Sequence, residues 1–191
     1  MAADYTLKKL TDSKWLNLYE ATYIDKTGRE NRWTVASRKD RPIVDADKPD
    51  AVVIVPIVDT PTGKKLVVTK EFRVPVWDYE YGFPAGLIDE DSTIEQATAE
   101  ELKQETGLDL VRINYISSCV YSSSGMTDES CCMVFVEAKG RISNEHLEEC
   151  ERIEAMLMDV DDIRQLLDSG KKISAKAWGL FYHYIQTGRI D

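Results

Sequence analysis

The chain has 191 residues, enough for one domain with a small appendage, and its 43% hydrophobic and 30% charged content is that of a globular protein with a sizeable core. Its formal charge of −10 argues against a nucleic-acid backbone as partner, because phosphate contacts along a strand need a basic face. The N-terminus lacks the apolar core of a signal peptide, no run approaches a membrane span, and Cys119, Cys131, Cys132 and Cys150 show no CxxC or zinc spacing. A cytoplasmic protein with free thiols is expected, with no nucleic-acid or membrane partner.

Two strands are predicted at 15–24 and 31–38, joined by turn chemistry around Gly28, so they form a hairpin. The polar stretch 41–50, with Pro42 and Pro49, is a link. It divides an N-terminal β-unit, 1–47, from a larger domain, 48–191. AVVIVPIV (51–58) is a strand buried on both faces, and 65–73 is its partner across a turn. Residues 74–91 are mostly loop, with a short strand near Tyr81. A helix covers about 93–105. Three strand-like runs follow, at 110–121, 131–138 and 151–160, and two helices close the chain at 161–170 and 174–188. Strands interleaved with few helices imply an α+β fold, a mixed sheet covered by helices.

The helix after Ser92 is the most informative element. Ser92 with Glu95 fits a capping box, and Gly107 fits the glycine that ends a helix, with Leu108 packing back on the last turn. At about 100° per residue, Glu101 and Glu105 fall on the inward side with Ile94, and Lys103 points away. An inward acidic pair without a local cation suits a hard divalent ion, which prefers carboxylate oxygens. On Trp178, Phe181, Tyr182 and Ile185 the same periodicity predicts core.

Gly86 and Glu101-Leu102-Lys103-Gln104-Glu105-Thr106-Gly107-Leu108 resemble the Nudix box, G-x5-E-x7-R-E-U-x-E-E-x-G-U. Gly82–Asp89, with Trp15, Trp33, Arg38, strand 51–58 and Lys70-Glu71-Phe72-Arg73, resembles the ADP-ribose and ADP-sugar pyrophosphatase branch of that family. The resemblance spans roughly residues 14–160. It implies a Nudix fold and Mg²⁺-dependent (or Mn²⁺-dependent) hydrolysis of the diphosphate linkage of an ADP-sugar such as ADP-ribose, giving AMP and a sugar phosphate. The carbonyl of Ala85 with Glu101 and Glu105 would hold the metal. Glu151 would help to activate water; Arg38 and Arg73 would hold the diphosphate; Trp15 and Trp33 would stack the adenine. Gly125–Glu129, with Met126, is similar to a substrate-proximal loop, and the N-terminal unit would form a homodimer. The box departs from the family at Ser92, where Glu is usual, at Glu100, where Arg is usual, and at Gln104, where Glu is usual. Those departures keep open a second function, an impaired domain that serves as a nucleotide-binding or interaction module.

Overall fold

A computed structural model describes residues 5–42, 48–149 and 151–190. The chain divides into two compact units, 1–50 with 119–131, and 51–118 with 132–191.

In the first unit, β1 (Tyr5–Lys9), β2 (Asn17–Ile24) and β3 (Glu30–Ser37) form an antiparallel meander in that order. The hairpin predicted around Gly28 is present. Its turn is tied by one carboxylate: Asp25 accepts from the Thr27 N–H at 2.7 Å, the Thr27 hydroxyl at 2.6 Å, the Arg29 N–H at 3.1 Å and Asn31 Nδ2 at 2.8 Å. These donors, the Thr27 hydroxyl first, hold the Asp25 carboxyl down at about 2. β1 was not expected; its exposed, lysine-bearing residues carry no clear alternation. β9 (Val120–Tyr121) pairs with Ser130 and Cys131, and the loop between them meets β3 where Ala36 donates to the Met126 carbonyl at 2.9 Å. The segment 119–131 therefore packs with the N-terminal strands, although the link at 41–50 suggested an earlier boundary.

In the second unit, β4 (Ala51–Thr60) and β5 (Gly63–Arg73) pair next to their turn, from Thr60–Gly63 to Ile57–Leu66, and then diverge. The chain that follows fills the wedge. β6 (Asp78–Gly82) pairs with β5 over Thr69–Arg73, and β7 (Ala85–Leu87) pairs with β4 over Ala51–Val53. Pro56 lies where β4 changes partner, a position at which a residue without an N–H costs no ladder bond. Ile54, two residues earlier, still donates to the Pro84 carbonyl at 2.8 Å. β8 (Asp109–Ile116), β10 (Ser130–Lys139), β11 (Ile153–Met158) and β12 (Lys172–Ile173) complete a mixed sheet of order β12-β6-β5-β4-β10-β8, with β11 on the other edge of β5.

Three helices accompany it, α1 (Ile94–Thr106), α2 (Val160–Asp168) and α3 (Ala175–Thr187). Ala97, Leu102 and Leu108 from α1 and its exit join Val52, Ile54, Val67, Cys132, Val134 and Val136 in the main core. Burying this set removes a large apolar surface from water, worth about 25 cal/mol per Å². The architecture is the α+β arrangement expected, with the apolar run of β4 buried as predicted.

Two details differ. Of the α3 residues expected in the core, Phe181 is buried completely and Ile185 partly; Trp178 and Tyr182 are half exposed and stack on each other, ring centroids 5.5 Å apart. Residues four apart on a helix share a face, and this one looks outward. The α1 cap is also one residue later than expected. Thr93, not Ser92, accepts from the Gln96 N–H at 3.2 Å, and Gln96 returns a bond from the Thr93 N–H at 2.9 Å. Both frames contain the hydroxyl and the amide or acid three residues on, so sequence spacing does not separate them. Cys119 is a free thiol, Cys131 and Cys132 are buried, and Cys150 lies outside the described residues.

Candidate active site

Two carboxylates one turn apart on α1 press on two consecutive residues of β7. Glu105 is 5% exposed, and its Oε2 accepts from the Ala85 N–H at 3.1 Å. Glu101 lies against the bare Cα of Gly86; a Cβ there would overlap its whole carboxylate group. Lys103 turns away, as expected. Its Nζ binds the Gly107 carbonyl at 3.0 Å and Asp109 at 2.9 Å, at the end of the helix where backbone carbonyls attract a cation. Gly107 ends α1 with φ +75°.

The local reason for this geometry is the β4–β5 wedge. β7 pairs with β4 through Val53–Ala85 and Val52–Gly86, which sets these two residues beneath α1. Residues 85–87 were expected to be loop; the pairing with β4 makes them a strand. The Ala85 N–H serves Glu105.

The field around the pair is acidic. Burial is the main cause that raises the Glu105 carboxyl to about 9; the charges of Glu71 and Glu101 add, and the Ala85 N–H opposes. Burial likewise raises Glu101 to about 7, with contributions from Glu151, Glu148, Glu100 and Asp89. Ala85, Gly86, Asp89, Glu100, Glu101, Glu148 and Glu151 line a cleft of about 350 Å³. Glu151 is held in a local turn, its Oε2 accepting from the Glu148 N–H at 3.1 Å. Gln104 and Ser92, two of the departures from the box, also line the cleft, and Glu100 faces it with a charge opposite to the usual Arg.

The donor set fits a divalent cation. It is oxygen-only, poor in nearby positive charge, and contains a buried carboxylate that accepts one backbone N–H. Among the described residues no three metal-binding side chains converge on one point. Mutual repulsion of like charges is a physical reason for that spacing.

Arg73, at the end of β5, pairs with Glu71 at 2.8 Å and lies 4.0 Å from Glu80. A small cavity of about 40 Å³ is lined by these three residues together with Ala85. Glu71 and Glu80 were not singled out from sequence. In the first unit, Trp15 is 68% exposed with Lys14 Nζ 4.3 Å from its ring centre, and Trp33 donates Nε1 to the Gly125 carbonyl at 3.0 Å. Arg38 Nε donates to Glu129 at 3.2 Å, and the side chain of Met126 is exposed. Trp33, Arg38 and Met126 thus gather around β3 and the 119–131 segment, with Trp15 in the same unit, while the expected metal and water residues gather around α1 and β7.

Residues 47–178 match the NUDIX domain family. The chain belongs to the Nudix family. It is 31% identical to an ADP-ribose pyrophosphatase of Saccharomyces cerevisiae over 181 residues, 89% of this chain and 77% of that one. It is 29% identical to a putative nudix hydrolase 2 of Caenorhabditis elegans, over 78% of this chain and 68% of the relative. An ADP-sugar pyrophosphatase of Mus musculus matches at 32% identity over 51% of this chain and 44% of its own length. The crystal structure of an ADP compounds hydrolase superposes with a TM-score of 0.73 at 19% identity, over 100% of this chain and 98% of that one, which establishes the Nudix fold. No helix among the described residues is long and apolar enough to cross a membrane.

Two outcomes are expected. Gly86→Ala displaces the Glu101 carboxylate, so turnover of a diphosphate substrate falls by about a hundredfold, the scale of a small misplacement in an active site. The overlapping atoms belong to the end of a flexible side chain, so the thermal midpoint changes little; a scanning melt beside a rate assay checks both. The second concerns pH. The folded-state value of Glu105 is above its unfolded one, so its contribution to stability is full below about 4.5 and is lost as pH rises through about 9. With EDTA present, Glu105→Gln is expected to melt higher than wild type at pH 8 and to differ little at pH 4.5; Mg²⁺ should reduce the difference at pH 8.

Proposed function

We propose that the protein hydrolyses the diphosphate linkage of an ADP-sugar, ADP-ribose by preference, to AMP and a sugar phosphate, with Mg²⁺ as cofactor. The observation that carries this reading is the Glu101–Glu105 pair on consecutive β7 residues, in a cleft that also holds Glu151. The printed names of the yeast and mouse relatives support the substrate class.

Glu101, Glu105 and the Ala85 carbonyl would hold the ion, which would supply neutralisation of the diphosphate charge and acidify the attacking water. Glu151 receives the proton of the attacking water, a role suited to a carboxylate at the cleft wall. Arg73 and Arg38 fit the phosphates, because a planar guanidinium offers paired donors to phosphate oxygens. Trp15 and Trp33 present indole faces on which adenine stacks, and Met126 lies on the neighbouring loop.

Product analysis tests this directly. ADP-ribose and Mg²⁺ should yield AMP and ribose phosphate, and Glu105→Gln should lower turnover by at least about a hundredfold. Failure of wild type to release AMP above the variant, across several nucleoside diphosphate compounds, would rule out the hydrolase.

One observation favours the second reading, an impaired nucleotide-binding module: Glu100 lines the cleft and its charge adds to that on Glu101. For a competent hydrolase, Glu100→Arg should change turnover by less than about tenfold, or about 1.4 kcal/mol. A far larger gain would identify the native site as impaired.

A further inference from the structure

Glu71 and Glu80 are cross-strand partners in the β5–β6 ladder, and Arg73 is two residues beyond Glu71 on the same strand. Alternation along a strand puts residues 71 and 73 on one face, and direct pairing brings Glu80 to that face too. Arg73 Nη1 is 2.8 Å from Glu71 Oε1, and Arg73 Nε is 4.0 Å from Glu80 Oε2. Glu71 is half-buried, 23% exposed by side chain, against 46% for Arg73. The network reaches the catalytic carboxylates. Its three members share a cavity wall with Ala85, whose N–H binds Glu105, and Glu71 is the largest single charge acting on Glu105.

An arginine has five N–H donors and a long, rotatable stem. Here Arg73 Nη1 lies 2.8 Å from Glu71 Oε1 in an ion pair, and Glu80 stands near Nε beyond hydrogen-bonding reach. Among the described residues Arg73 forms ion pairs with Glu71 and Glu80 and with no other carboxylate. Fixing such a side chain before a ligand arrives removes a rotamer cost that would otherwise be charged to binding.

We propose that Glu71 is a positioning residue for diphosphate recognition: it fixes the Arg73 guanidinium on the β5–β6 ladder, from which its remaining N–H donors serve the substrate phosphates, and Glu80 is a weaker second support. The inference rests on the reading of Arg73 as a phosphate ligand. Glu71 touches no reacting atom in this account; through Arg73 its removal acts on substrate binding.

The test separates the two claims. ADP is titrated into the metal-free protein in EDTA by calorimetry, so that effects of Glu71 on metal binding do not enter. Loss of a charge-assisted bond to the guanidinium is expected to weaken ADP binding by about tenfold in Glu71→Gln, and by less in Glu80→Gln. Arg73→Ala should lose at least as much as Glu71→Gln, and adding Glu71→Gln to Arg73→Ala should cost nothing more. With ADP-ribose and Mg²⁺, Glu71→Gln should raise KM at nearly constant kcat, and Glu71→Asp should recover part of the loss. Melting curves of all variants verify folding. Tighter ADP binding in Glu71→Gln would show that the carboxylate competes with phosphate, and overturns the proposal. So does wild-type affinity in Arg73→Ala, absence of ADP binding by wild type, or a kcat defect in Glu71→Gln at unchanged KM. Failure of the hydrolase reading appears elsewhere, as wild-type protein that binds ADP but releases no AMP.

Discussion

The site depends on one costly act, the burial of two carboxylates side by side against backbone. A carboxylate that leaves water without a compensating partner is strongly disfavoured, and two of them repel. Glu105 has a single backbone N–H in return, and Glu101 has the space left by Gly86. The surrounding fold supplies the rest. Leu102 and Ala97 anchor the opposite side of α1 in the main core, the Thr93 box fixes its start, and the left-handed Gly107 fixes its end. A helix held at three points cannot rotate to let its acids escape to solvent.

Charge is arranged with the same economy. Lys103, the one cation on α1, is spent on the helix end and on Asp109. Arg73 is engaged by Glu71 and Glu80 on the sheet. Both cations are thus kept from collapsing onto Glu101 and Glu105. An internal salt bridge there would lower the electrostatic cost of folding and remove the reason for a divalent ion to bind.

Much of this was legible in the sequence. β4 shows as an unbroken apolar run of strand length, and the acidic spacing of α1 follows the 3.6-residue helical period; both signals are local. The inward Glu pair and the outward Lys103 follow from the helical period. Other features had no local signature. β7 is three residues, Ala-Gly-Leu, between a proline-containing link and an acidic turn, and only its pairing with β4 makes it a strand. The start of α1 was ambiguous because Ser92 and Thr93 open overlapping frames. Trp178 and Tyr182 obey the helical period perfectly; what the period cannot say is which neighbour, if any, covers their face. Glu71 carried one readable hint, its place two residues before Arg73 on a strand. Its partner Glu80 comes from a different strand, whose register is set by the wedge. The association of 119–131 with the N-terminal strands is likewise a long-range fact, written in the Ala36–Met126 and Trp33–Gly125 bonds.

The divergence of β4 and β5 has a consequence for how such a protein can change over evolutionary time. Two connections flank β6. One, Val74–Trp77, is the short turn that closes the β5–β6 hairpin, with its apolar side chains exposed. The other, Phe83–Pro84, is buried, and Pro84 is bonded to Ile54. Insertions and substitutions at the first leave the register of β6 and β7 intact, and with it the seats of Glu101 and Glu105. A single residue gained or lost at the second would shift Ala85 and Gly86 out from under the helix. The fold therefore offers one freely variable corner next to an immovable one.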